Sequence, residues 1–143
     1  MLSKALEEQK IDFSFIDGQR VTSVEVRDVA CSVFGETNKK IVNSLEAQGA
    51  NAKGITSNVF ECIMDNADLG YVGSIQSVNH QLINEILESD SIPVIAPIGF
   101  QDDEKLNINA DIATVELVKA INPYKAIFLS DTGGIFNQRG QLI

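Results

Sequence analysis

The stretch that most limits what this chain can become is Ile92–Asp111, IPVIAPIGFQDDEKLNINAD. It opens as an apolar run, crosses an acidic loop at Gln101–Lys105 and enters a helical pattern at Asn109-Ala110-Asp111. The run IPVIAPI, with Pro93 and Pro97 toward its ends, predicts a central parallel strand over Ile92–Ile98, buried on both faces. A strand that feeds a helix N-terminus is where α/β proteins place ligands. The unpaired N–H groups and the positive dipole end there favour an anion. Local chemistry also has a simpler use for the same residues, with Asn109 as an N-cap and Asp111 in the first turn of the helix.

Periodicity places helices over Met1–Lys10, Val24–Gln48, Asn79–Ser89 and Ala110–Ile121. In the second, Gly35 marks a point where the run could divide in two. Thr22 or Ser23 can cap that helix, and Asn79 caps the third, whose Leu82, Ile83, Ile86 and Leu87 are expected to face inward. Strands are expected over Ala50–Thr56 and Tyr124–Ser130. Val59–Met64 and Tyr71–Val78 are expected to form a hairpin, and Leu106–Asn107 a brief pairing. Asp17-Gly18 is a turn signal, as is Asn137–Gly140. Strand, helix, strand from Ile92 to Ser130 reads as a right-handed βαβ unit.

The chain has 143 residues and a net charge of −9 from 11 basic and 20 acidic side chains. Such a surface repels phosphate backbones, which argues against a nucleic-acid partner. An acidic protein can still hold an anionic ligand through a local device, such as a helix N-terminus or one placed Arg. No stretch is long and apolar enough for a membrane span. Cys31 and Cys62 lie far apart among apolar neighbours and are expected to be free thiols in a reducing compartment. No Cys/His spacing points to a metal site, and His80 falls at a helix start, where a structural or surface role is expected.

Several motifs, taken together, resemble those of the N-acetylglutamate kinases of the amino-acid kinase family. They are FIDGQRVT (Phe15–Thr22), NKKIVNSLEAQGANAKGI (Asn38–Ile55), DLGYVGSIQSVN (Asp68–Asn79), IPVIAPIG followed by LNINAD, and KAIFLSDTGGIFNQRGQLI. The resemblance runs in order over nearly the whole chain. It implies an α/β fold, a three-layer α-β-α sandwich with a mainly parallel central sheet and a small β-hairpin lid. Residues 1–143 would form one partial domain. The family's N-terminal glycine-rich loop with its phosphate-contacting Lys, and a C-terminal segment with a second Lys, have no counterpart in these residues. Weak or no turnover is therefore expected of this stretch alone.

The activity implied is ATP-dependent phosphorylation of the γ-carboxylate of N-acetyl-L-glutamate, with Mg²⁺ accompanying ATP. That nucleophile is already ionised at neutral pH, so positioning and charge neutralisation matter more than a general base. By motif match, Arg20 would hold a substrate carboxylate and Asn107 would hydrogen-bond the substrate. Asp111, the motif's acidic residue and the one counted as catalytic, would orient lysines that touch phosphate. The turn Asp131-Thr132-Gly133-Gly134-Ile135-Phe136 would receive the nucleotide. The resemblance also implies a homodimer or higher homo-oligomer, with the helices of Val24–Gln48 as its contact, where local chemistry asks only for a helix that covers a sheet. The expected compartment is the cytoplasm, or the mitochondrion or plastid in a eukaryote. Two alternatives stand beside this: the kinase-like domain of an N-acetylglutamate synthase, and a non-catalytic binding or dimerisation module. The intact NINAD string favours the kinase.

Overall fold

The computed structural model describes residues 1–64, 66–129, 134, 137 and 139–142. Four helices and eight short strands appear in the order α1 (Leu2–Glu8), β1 (Phe15–Ile16), β2 (Gln19–Arg20), α2 (Val24–Ala47), β3 (Ala52–Ile55), β4 (Phe60–Ile63), β5 (Ser74–Val78), α3 (His80–Glu88), β6 (Ile92–Ile95), β7 (Ile98–Gln101), β8 (Glu104–Asn107) and α4 (Ala110–Ile121). The α/β class is as expected. The sheets are mixed. β3 and β6 pair in parallel, and a four-stranded sheet runs β5-β4-β7-β8, parallel only between β4 and β7.

Caps fix the helix starts. Ser23 Oγ accepts from the Val26 amide and Asn79 Oδ1 from the Leu82 amide. α2 passes Gly35 without a break, as one helix of 24 residues. α1 has 7 residues, too few to hold as an isolated helix. It is kept by Leu6, fully buried against Val26 and Val29 of α2. Burying that side chain contributes about 2 kcal/mol. The larger core gathers Phe60, Cys62, Ile83, Ile86, Leu106, Ile108 and Ala113, and so joins the four-stranded sheet to α3 and α4. Leu87 departs from the inward set, being about half exposed on α3.

Three expectations are corrected. Ile92–Ile98 is not one strand buried on both faces. β6 ends at Ile95, pairs among the described residues only with β3, and leaves Ile92 exposed. Pro97 has no N–H to continue a ladder. The Ile98 amide instead donates back to Ala96 O across it, and the chain enters the other sheet as β7. Second, the loop read at Gln101–Lys105 is a tight hairpin, with Gln101 opposite Glu104 and Asp102 at φ 51 in its turn. Third, residues 124–129 form no strand. Tyr124, Ile127, Phe128 and Leu129 are exposed, with no backbone ladder to any described residue. Unpaired backbone groups have no reason to hold an extended register, so the βαβ unit is not completed among the described residues.

Candidate functional site

The site is assembled from the Asp17-Gly18 turn upward. Both residues have positive φ, 48 and 79, which suits a two-residue hairpin loop. That turn sets Phe15 opposite Arg20. The Arg20 guanidinium then lies 4.4 Å from the Phe13 ring centroid and 4.5 Å from that of Phe15. Its Nη2 donates to Ser3 Oγ at 2.9 Å, while Nη1 is buried with no partner among the described residues. Burial lowers the Arg20 pKa from its ordinary value, yet a guanidinium still stays charged. A charged donor held in place by two rings and left unmatched calls for an acceptor, and a carboxylate fits its planar fork.

Two residues on, Thr22 is fully buried. Its hydroxyl donates to Arg20 O at 2.8 Å and accepts from Asn107 Nδ2 at 3.1 Å. The segment around Tyr71 forms the rung between them. The Thr22 amide donates to Leu69 O and the Tyr71 amide to Thr22 O. The Asn107 amide donates to Tyr71 O and the Gly73 amide to Asn107 O. Gly70, at φ 69, is needed there: a Cβ at this position would run into Thr22 O. Arg20 and Asn107 are thus brought to one place.

They line a cleft of about 150 Å³ whose walls include Leu2, Phe15, Val72 and Asn109. A second hollow of about 210 Å³, sharing Gln19 and Val72, continues toward Ile112 and Glu116 of α4. The N-terminus of α4 opens beside the first cleft. Asn109 caps it as the sequence suggests, accepting from the Asp111 and Ile112 amides. Those two amides are therefore already occupied, and Arg20 is the stronger device for an anion here. Asp111 is exposed in the first turn of α4 and makes no ion pair among the described residues. It does not line the cleft.

Of the predicted nucleotide turn, Asp131, Thr132, Gly133, Ile135 and Phe136 lie outside the described residues, and only Gly134 is described. Among the described residues no three His, Cys, Asp or Glu side chains gather as a metal site, and no helix is long and apolar enough to cross a membrane. His80 is the exposed first residue of α3, as expected of a surface histidine.

Phe13, Phe15 and Thr22 were not singled out as site residues by the sequence. The aromatic pair had a signal, since a two-residue Asp-Gly loop fixes the register that sets Phe15 against Arg20. The bond from Thr22 to a residue 85 positions away had none.

Known proteins resemble the chain in sequence and in fold. A chain from Aliarcobacter butzleri (strain RM4018) named acetylglutamate kinase is 41% identical over 99% of this chain and 50% of its own length. The chain thus spans about half the length of that relative. Among solved structures, smu.665 from Streptococcus mutans UA159 superposes with a TM-score of 0.88 at 26% identity, over 96% of this chain and 58% of that one. N-acetylglutamate synthase from Neisseria gonorrhoeae, complexed with coenzyme A and N-acetyl-glutamate, reaches 0.83 at 18% identity, over 99% and 34%. That last likeness is one of fold alone. The amino acid kinase family model matches residues 1–143 from end to end, and the chain belongs to that family.

Proposed function

We propose that this chain supplies the phosphoryl-acceptor (N-acetyl-L-glutamate) site of an acetylglutamate kinase. The observation that carries the proposal is the Arg20 guanidinium, held against two rings with a buried Nη1 that has no partner among the described residues, in a cleft it shares with Asn107. The name borne by a relative at 41% identity supports the same substrate class. In the reaction, an oxygen of the substrate's γ-carboxylate attacks the γ-phosphorus of ATP. The bond to the bridging oxygen breaks and ADP departs with its electron pair. Arg20 holds a carboxylate of N-acetyl-L-glutamate, and the Asn107 carboxamide hydrogen-bonds the substrate. Neither needs to exchange a proton, since the nucleophile is already an anion.

Asp111 is assigned a positioning role toward phosphate-binding lysines, since like charges exclude direct contact with phosphate. The segment 131–136 is assigned to the nucleotide, and Mg²⁺ is carried on its phosphates. Residues 1–143 are taken to act as one domain, and α2 as the contact for a second copy, with Ile41 and Val24 exposed on it. Calorimetric titration of the chain with N-acetyl-L-glutamate tests the phosphoryl-acceptor role. Saturable 1:1 binding, lost in Asn107→Ala, is expected. Absence of heat at millimolar ligand, with the chain folded, would overturn it.

A further inference from the structure

We propose that Thr22 is a positioning residue whose hydroxyl decides which way round the Asn107 carboxamide sits in the cleft. A threonine hydroxyl has one hydrogen to give and two lone pairs to receive. Thr22 is fully buried, and its one hydrogen is spent on Arg20 O at 2.8 Å. From Asn107 it can therefore only accept. The Asn107 atom facing it must be the donor Nδ2, at 3.1 Å, and not Oδ1. With that orientation fixed, Oδ1 and the second Nδ2 hydrogen remain for a ligand. Without it, the carboxamide could turn over and offer the reverse pattern.

The backbone holds Thr22 rigidly enough for this purpose. Its N–H and C=O are both engaged by the Leu69–Tyr71 segment at 2.8 Å, and the same segment takes the Asn107 amide at 2.9 Å. The two side chains therefore meet on one frame. Because Thr22 also holds the Arg20 carbonyl, one hydroxyl links the residue assigned to the carboxylate with the residue assigned to the rest of the substrate. This role presupposes the phosphoryl-acceptor site proposed above.

The test compares Thr22→Val, which keeps the shape and removes the hydroxyl, with Thr22→Ser, which keeps the hydroxyl. N-acetyl-L-glutamate affinity by calorimetry is expected to fall roughly tenfold in Thr22→Val, the cost of one lost buried hydrogen bond. Thr22→Ser should restore it. Equal affinity in Thr22→Val and wild type would overturn the inference, as would equal losses in both variants, which would make Thr22 a packing residue.

A second readout needs neither ligand nor a folded variant. In the ¹⁵N spectrum of the wild-type chain, one Asn107 side-chain N–H should exchange with water markedly more slowly than its geminal partner. Two equally fast protons would overturn the inference even if Thr22→Val fails to fold. If wild type binds no N-acetyl-L-glutamate but shows the protected proton, the phosphoryl-acceptor role falls and the orienting hydroxyl stands.

Discussion

Arg20→Met separates two jobs that an arginine in a cleft can do: hold the scaffold, or hold a ligand. Removing the guanidinium forfeits two cation–π contacts of about 0.5–1 kcal/mol each. It also forfeits the bond from Nη2 to Ser3 Oγ, worth about 1.5–3 kcal/mol for a charged donor. Against this, a buried donor with no partner among the described residues disappears, and such a donor costs about 1–3 kcal/mol. Methionine lies along the same rings and regains about 0.3–1.5 kcal/mol per sulfur–aromatic contact. The terms nearly cancel, so the variant should unfold within about 1.5 kcal/mol of wild type. At this chain length that is a melting shift of less than about 6 °C.

Binding has no such compensation. Losing a charge-assisted pair with a carboxylate costs about 2–4 kcal/mol, or roughly thirtyfold to a thousandfold in affinity for N-acetyl-L-glutamate. Thermal unfolding and calorimetric titration on the same two samples give both numbers. A melting point more than about 10 °C lower, with affinity unchanged, would refute the argument and make Arg20 part of the scaffold.

Three further outcomes follow from the packing and the caps. In Gly99→Ala the new Cβ would collide with Cys62 Sγ and come within 2.8 Å of Ile108 Cδ1, costing about 2 kcal/mol in urea unfolding. Adding Cys62→Ala should return part of that loss, and strict additivity of the two changes would refute the contact. Burial pushes the Cys62 thiol up to about 11 from an ordinary value of 9.0. Its neutral form therefore contributes stability that is full below the unfolded thiol's pKa and is lost as pH rises through the folded one. Stability measured from pH 8 to 11 should fall, and Cys62→Ala should flatten that fall. A variant with the same slope as wild type would exclude Cys62 as the cause. Asn109→Ala removes the acceptor for two helix amides and should cost about 1 kcal/mol, while Asn109→Asp retains the cap. Equal unfolding midpoints for Asn109→Ala and wild type would show the cap to be idle.

What the sequence disclosed was mostly what local chemistry decides. The helix over Ala110–Ile121 and the caps at Asn79 and Asn109 follow from side chains acting within three residues of themselves. The four-residue alternation of Phe60–Ile63 also reads directly, because one face is buried and the other is not. The misreadings came where a neighbour elsewhere in the chain decides. IPVIAPI is apolar throughout, yet whether it runs as one strand depends on whether Pro97 meets a partner that needs its missing N–H. FQDDEKLN has too few apolar positions to show its alternation, so its charges suggested a loop, while pairing of β7 with both β4 and β8 makes it a hairpin. YKAIFLS has strong strand character, but propensity without a partner leaves its apolar side chains in water. The site divides the same way. Arg20 and Asn107 were legible through their motifs, whereas Thr22 was visible only as a candidate cap, and Ser23 took that place.

The frame that carries the site is far more completely satisfied than the site itself. Arg27 of α2 forms an ion pair with Glu104 at 2.8 Å, at the start of β8, and stacks over the Tyr71 ring at 4.5 Å. Tyr71 in turn gives its amide to Thr22 and its carbonyl to Asn107. Helix, rung and hairpin are thereby tied to one another through a bonded side chain and a hydrogen-bonded backbone. Arg20, seven residues before Arg27, has the same chemistry and the opposite situation: one nitrogen bonded, one buried without a partner among the described residues. An unmatched charged donor in an otherwise satisfied network costs stability, and natural proteins keep such exceptions where a ligand completes them. Two arginines so close in sequence thus differ in their surroundings: Arg27 pairs with Asp28 and Glu104, while Arg20 lies in the wall of the cleft with a buried Nη1 that no described residue satisfies, as the proposed carboxylate-binding role requires.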